Sequence, residues 1–307
     1  VVFYAGMRRP AQSPPVPQTQ ARPIMTSSGR SLLGGGLVLA SCIAIQGSAA
    51  ISSSLFDDLG AAAVAGWRQL IGAAVLILLV RPRLQGRDRN QWTWILLLGL
   101  AMATMNVAFY SAVAFLPLGV AATLLYLGPF AIAAFGFRRG LHLALPACAL
   151  IGVLMISRPG SIDSLTGLIV GLISGAALAT YTIAGHRLGH KGGTDTLALA
   201  VASSAVILSP VSLLTTPHLR SEHAAVLLTA GVIGVACAFW FDFTALQLIG
   251  SRAVSVLFAL DPVVGAITGA LMLGQHLDLV TTLGIIAIVI SGAIAAGTQN
   301  DSRKPQN

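Results

Sequence analysis

FYSAVAFLPLGVAATLLYLGP, residues 109–129, lies over DFTALQLIGSRAVSVLFALDP, residues 242–262, when the chain is shifted by 133 positions. Ala112 falls over Ala245 and Pro129 over Pro262. The likeness is weak residue by residue, yet it divides the chain into two halves of similar length. Both copies are almost wholly apolar, and so is their setting: the chain is 55% hydrophobic and 9% charged, with a mean hydropathy of +0.84. Such a composition lies far from that of a soluble domain and points to lipid as the surrounding medium.

A bilayer core about 30 Å thick takes about 20 helical residues to cross. Stretches of that kind follow one another at approximately 31–50, 60–80, 92–113, 117–137, 141–157, 165–186, 195–215, 223–246, 252–272 and 278–297. Connections as short as FLPLG (115–119) suit antiparallel neighbours and leave no room for a soluble domain. The predicted fold is therefore an all-α membrane protein with ten transmembrane helices. Five helices per half is an odd number, so the second half enters the membrane from the opposite side. Two inverted five-helix repeats result, 31–158 and 159–298, an architecture used by secondary transporters with sites near the midplane between the repeats. Residues 1–30 and 299–307 are read as tails. The first 24 residues are rich in proline and polar groups and lack a continuous apolar core, which predicts a disordered tail rather than a signal peptide, with Met25 a candidate start of translation.

The net charge is +8 and the isoelectric point about 10.3, but the placement of the cations matters more than their number. With the N-terminus in the cytoplasm, the inside segments hold Arg8, Arg9, Arg22, Arg30, Arg81, Arg83, Arg87, Arg89, Arg138, Arg139, Arg187, Lys191, Arg252, Arg303 and Lys304, and the outside segments only Arg158 and Arg220. That asymmetry predicts cytoplasmic termini. No basic stripe interleaved with aromatics is present, so nucleic acid is not an expected partner. Cys42, Cys148 and Cys237 lie in apolar spans without paired spacing and are read as small packing residues.

Arg68, Asp242 and Asp261 are the ionisable residues well inside spans. A charge at the centre of a membrane helix costs about 2.5–3.5 kcal/mol on insertion scales, so each should face protein or water. Small residues share their helical faces: Gly231, Gly234, Ala238 and Ala245 with Asp242, and Gly265, Thr268 and Gly269 with Asp261. A carboxyl group in a low-dielectric site can hold a proton near neutral pH and lose it when a cation or water arrives. Protons are thus the expected coupling ion, with a buried Arg–Asp pair that merely positions helices as the structural alternative. Gln46, Asn106, Tyr110 and Tyr181 are further candidates for lining the site, and Pro129 and Pro262 for breaking their helices at mid-span. His186 and His190 have a spacing that could hold a metal but lie at a basic helix end, so no metal or other cofactor is expected. No HExxH, GxSxG, Walker A or GxGxxG pattern occurs, which argues against an enzyme or an ATP-driven pump.

The stretches AIQGSAAISSSLF (44–56), WRQLIGA (67–73), TMNVAFYSAV (104–113), PLGVAATLLYLGPFAIAAFGFRRG (117–140), YTIAGHRLG (181–189) and LDPVVGAITGALMLGQ (260–275) together resemble the EamA-type drug/metabolite transporter superfamily, most closely its bacterial threonine/homoserine exporters. The resemblance implies a ten-helix carrier of the bacterial inner membrane exporting amino acids or similar small polar metabolites, against protons. A homodimer is a candidate assembly. It also implies that Arg68, Asp242 and Asp261 stand at the family's functional positions, with aspartate at two places where the exporters typically have glutamate. Leu125, Leu178 and Gln275 depart from the family pattern. The alternatives are efflux of drugs or cationic compounds and a non-transporting membrane scaffold.

Overall fold

In the computed structural model, residues 27–135, 148, 151–152, 155, 162–188 and 193–298 are described. Their regular structure is helical: α1 (Ser27–Ser53), α2 (Phe56–Leu59), α3 (Ala61–Val80), α4 (Arg89–Phe115), α5 (Leu118–Phe135), α6 (Ile162–Leu188), α7 (Gly193–Leu213), α8 (Ser221–Gly231), α9 (Ala238–Leu257), α10 (Asp261–Leu273) and α11 (Leu279–Thr298). Six stretches are long and apolar enough to cross a bilayer: Gly29–Ser53, Ala61–Val80, Arg89–Phe115, Leu165–Gly185, Gly193–Leu213 and Ser221–Ile249. Leu118–Pro129, Phe258–Leu273 and Leu279–Ser291 are shorter apolar helices. The expected fifth span, 141–157, lies outside the described residues except at 148, 151, 152 and 155.

Local chemistry sets several boundaries. The Asp88 carboxylate accepts from Gln91 N–H at 2.6 Å and caps α4. Leu116 and Pro117 separate α4 from α5, as the FLPLG stretch suggests, and Gln275 Oε1 accepts the Leu118 N–H at 3.0 Å, so one of the free donors at the start of α5 is satisfied from the end of α10. Gly274, at φ 62°, ends α10 in the left-handed conformation that glycine adopts without strain.

Two sequence expectations are corrected. A connection was expected between spans ending at 246 and starting at 252, but α9 runs unbroken to Leu257, and the interruption is the 3₁₀ turn Phe258–Leu260, directly before Asp261 and Pro262. Proline suits the first turn of a helix, where its missing N–H has no intrahelical partner to lose, so Pro262 marks a new start. Pro129, in contrast, lies inside a continuous α5. The carbonyl it deprives of a donor is that of Leu125, and Gly175 of α6 packs against this same stretch of α5 backbone, so tertiary packing holds the helix through the proline.

Helices from the first half of the chain pack mainly on helices from the second: α4 on α6, α3 on α7, α1 on α9 and α10, and α5 on α6, α10 and α11. Small residues make these approaches possible, and the buried interior is rich in alanine, with Ala63, Ala65, Ala112, Ala121, Ala122, Ala200 and Ala245 all at 2% exposure or less. Outward positions are the reverse of a soluble protein's: Leu32, Leu78, Leu214, Leu271 and Leu279 are each more than 70% exposed. That surface suits acyl chains.

Candidate functional site

The polar interior is strung along α1. Ser41, Ser48 and Ser52 recur at spacings of seven and four and so share one helical face, while Cys42 and Gln46, four apart, share another. Each meets a buried group from another helix.

Asp261, at the head of α10 behind the 3₁₀ turn, has no exposed surface. Gln46 Nε2 donates to its Oδ2, and Oδ1 is buried without a partner. Cys42 adjoins it from the apolar cluster it forms with Val38 and Ala245. Gly265, one turn on, faces Ala122 and the Gln46 amide. Asp242 lies on α9 beside Ser41, and its Oδ1 is likewise buried and unpartnered. Tyr181 of α6 and Tyr126 of α5 are near enough to Asp242 to interact with it electrostatically, as are the two aspartates with each other. Five helices, α1, α5, α6, α9 and α10, thus converge at two carboxyl groups, each with an open oxygen.

Arg68 is elsewhere. Its Nη2 and Nε donate to Ser48 Oγ at 2.8 and 3.2 Å, and its Cζ lies 4.4 Å from the centre of the Tyr110 ring, a cation–π stack. Ser48 Oγ in turn donates to Ala230 O at 3.2 Å. Among the described residues Arg68 makes no ion pair, so the alternative of a buried pair with Asp242 or Asp261 is not the arrangement seen. The reason is azimuth: Arg68 reaches the serine face of α1, on the side of that helix opposite Gln46 and its aspartate. Asn106 turns its amide back to Met102 O at 2.9 Å, within its own helix.

Between Gly231 and Ala238 the helix adopts a π turn, Val232–Cys237. Gly231 there meets Ile71 and the Arg68 carbonyl, and a Cβ on Gly234 would stand 2.6 Å from Arg68 Nη2 and inside Ser48. The small stripe read in line with Asp242 therefore serves α1 and α3, and the π turn sets its phase apart from that of the acid.

At the end of the bundle where α1 stops, Asp57, Asp58, Pro217, His218, Leu219, Arg220 and His223 line a cavity of about 340 Å³. Arg220 N–H donates to His223 Nδ1 at 3.4 Å, which leaves the proton on Nε2 to be donated to Asp58 Oδ2 at 3.1 Å. This bond joins α2 to α8. At the opposite end Arg87 bridges the two halves by bonding Thr196 Oγ1 at 3.1 Å and pairing with Asp195 at 3.9 Å. Asp58→Asn should cost about 1 kcal/mol or less, because the carboxylate is half exposed, whereas His223→Ala should cost about 1–3 kcal/mol, because the ring is buried and its loss removes the bonds to both Arg220 N–H and Asp58. Melting of the detergent-purified variants checks the order; equal losses would mean that the histidine's burial contributes nothing.

Comparison with known proteins adds a second line of observation. The model of the EamA-like transporter family matches residues 165–296. The chain is similar to the threonine/homoserine exporter RhtA of Escherichia coli strain K12, 29% identical over 259 residues that cover 82% of this chain and 88% of the relative. It is also 29% identical over 276 residues to RhtA of Salmonella typhimurium strain SL1344, covering 88% and 92%. A protein of known crystal structure with 18% identity superposes over 91% of this chain and 100% of its own with a TM-score of 0.60, a likeness that concerns the fold alone.

Proposed function

The chain is an EamA-type member of the drug/metabolite transporters, a multi-pass bacterial membrane protein, and from that premise we propose that it is a secondary exporter of threonine- or homoserine-like amino acids, driven by proton antiport. In this reading it is built as two inverted five-helix repeats in the inner membrane with both termini cytoplasmic. The observation that carries the reading is the pair of buried carboxyl groups, Asp261 and Asp242, each with an unpartnered oxygen, at the meeting point of α1, α9 and α10. Stranding a buried polar atom costs about 1–3 kcal/mol, a cost that a bound ammonium group or a cycling proton offsets. Asp261 also follows a helix interruption, and irregular backbone at membrane depth is tolerated where protein or a water-lined space satisfies it.

Inverted membrane vesicles test the proposal. Because their lumen corresponds to the outside of the cell, labelled threonine and homoserine should accumulate when the lumen is acid, and a protonophore should abolish the accumulation. Uptake of a cationic dye with no uptake of any labelled amino acid would instead support drug efflux, a rival that could draw on Tyr126 and Tyr181 beside the acids.

A further inference from the structure

Arg68 is 2% exposed and Tyr110 1%, and both are within reach of a second buried feature that the two aspartates do not explain. Ser52 Oγ and the Tyr110 hydroxyl are buried with no hydrogen-bond partner. Both lie on the Arg68 side of α1: Ser52 follows Ser48 by one helical turn, and Ser48 and Ser52 both adjoin the Tyr110 hydroxyl. The group therefore consists of a guanidinium with no carboxylate partner among the described residues and two idle hydroxyl donors. Ser48 and the aromatic ring orient the cation without neutralising it. A cation withdrawn from water requires a counter-charge, and nothing in this part of the fold supplies one.

We propose that Arg68, Ser48, Ser52 and the Tyr110 hydroxyl form a subsite for the carboxylate of the transported molecule, distinct from the aspartates. The proposal rests on the carrier reading above and narrows it to carboxylate-bearing substrates. A guanidinium presents paired N–H donors that match a carboxylate's two oxygens, and the hydroxyls can donate to the same oxygens. Gly234 lets Ser48 and Arg68 Nη2 pack directly against the π turn, where a Cβ would collide with both and displace the guanidinium. The subsite also lies on a route. Passing along α1 from Ser41 to Ser52, the neighbours are Asp242, Asp261, Arg68 and Tyr110 in turn, and the Phe56 ring, packed edge-on against Tyr110 at 5.8 Å, separates this group from the cavity that Asp57 and Asp58 line. Ser41 and Ser48 are about 10 Å apart along the helix, so a small amino acid leaves the Asp242 level before its carboxylate reaches Arg68.

The test is thermal unfolding of purified full-length protein in detergent with L-threonine, L-threoninamide or lactate, at constant ionic strength with chloride as the control anion. Threonine and lactate should raise the midpoint by about 2–4 °C at about ten times their dissociation constants, and threoninamide, which lacks the carboxylate, should not. Tyr110→Phe and Ser52→Ala each delete a hydroxyl whose polar neighbours are only the other hydroxyls of this group, so both should fold, while their affinity for threonine and lactate falls about fivefold to tenfold. Arg68→Lys should lose more than tenfold, and its failure to fold would leave the two hydroxyl variants to decide. Equal stabilisation by threoninamide and threonine, unchanged affinities in both hydroxyl variants, or no carboxylate effect on the wild-type protein would each overturn the proposal. Carboxylate stabilisation without vesicle uptake would leave the subsite standing and reject the exporter reading.

Discussion

Asp261→Asn should reduce gradient-driven export by more than tenfold while the protein accumulates in the membrane at near-normal yield. The substitution preserves shape, and the asparagine carbonyl can still accept from Gln46 Nε2. What it removes is the ability to gain and lose a proton, on which the proposed antiport would depend. Site-directed removal of a buried charge often destabilises a protein, but here the carboxylate faces no cation among the described residues, so the neutral amide strands no partner. Vesicle uptake under an imposed pH gradient, normalised to the amount of folded protein, gives the measurement. Full gradient-driven transport by the variant would sink the assignment and transfer the proton site to Asp242.

Gly175→Val should prevent assembly rather than transport. At the crossing of α5 and α6 a Cβ on Gly175 would stand 2.5 Å from the Leu124 carbonyl oxygen and 3.3 Å from that of Leu125, and a Cβ on Gly128 would run into the Gly175 carbonyl. These obstacles are backbone atoms, which cannot rotate aside as a side chain can. The helices must separate, and the loss should reach or exceed the upper end of the ~1–3 kcal/mol typical of overpacking. Gly47→Ala is the control, because a Cβ there meets nothing within 4 Å and alanine favours a helix interior by about 0.5–1 kcal/mol. Fluorescence size-exclusion profiles should show a monodisperse peak for Gly47→Ala and aggregated or absent material for Gly175→Val. A normal profile for the latter would mean that the crossing is looser than the structure has it.

Hydropathy made the depth of these residues legible, and depth was enough to single out Arg68, Asp242 and Asp261. It could not say which way each side chain points, and so it left open whether Arg68 pairs with an acid. Two residues of α1 only two positions apart, Gln46 and Ser48, serve opposite sides of the helix and carry the two charges apart. The serine face was visible in the spacing 41, 48, 52, but serine is cheap in a membrane helix and attracts little notice there. Pro129 and Pro262 read alike in sequence; only tertiary contact separates a proline held within α5 from one that opens α10. Gln275 shows the converse, since a neutral amide satisfies the Leu118 N–H and no charge is needed at that position.

The π turn at Val232–Cys237 holds one residue more than an α-helix of the same length would need. An α-helix advances about 100° per residue, so a surplus residue acts as a fixed dial setting for everything that follows it. Were the same six residues wound as ordinary α-helix, Asp242 would stand about a quarter of a circle further round, away from Ser41 and Tyr181. The aim of that acid is thus stored upstream, in how six residues that never touch it are wound.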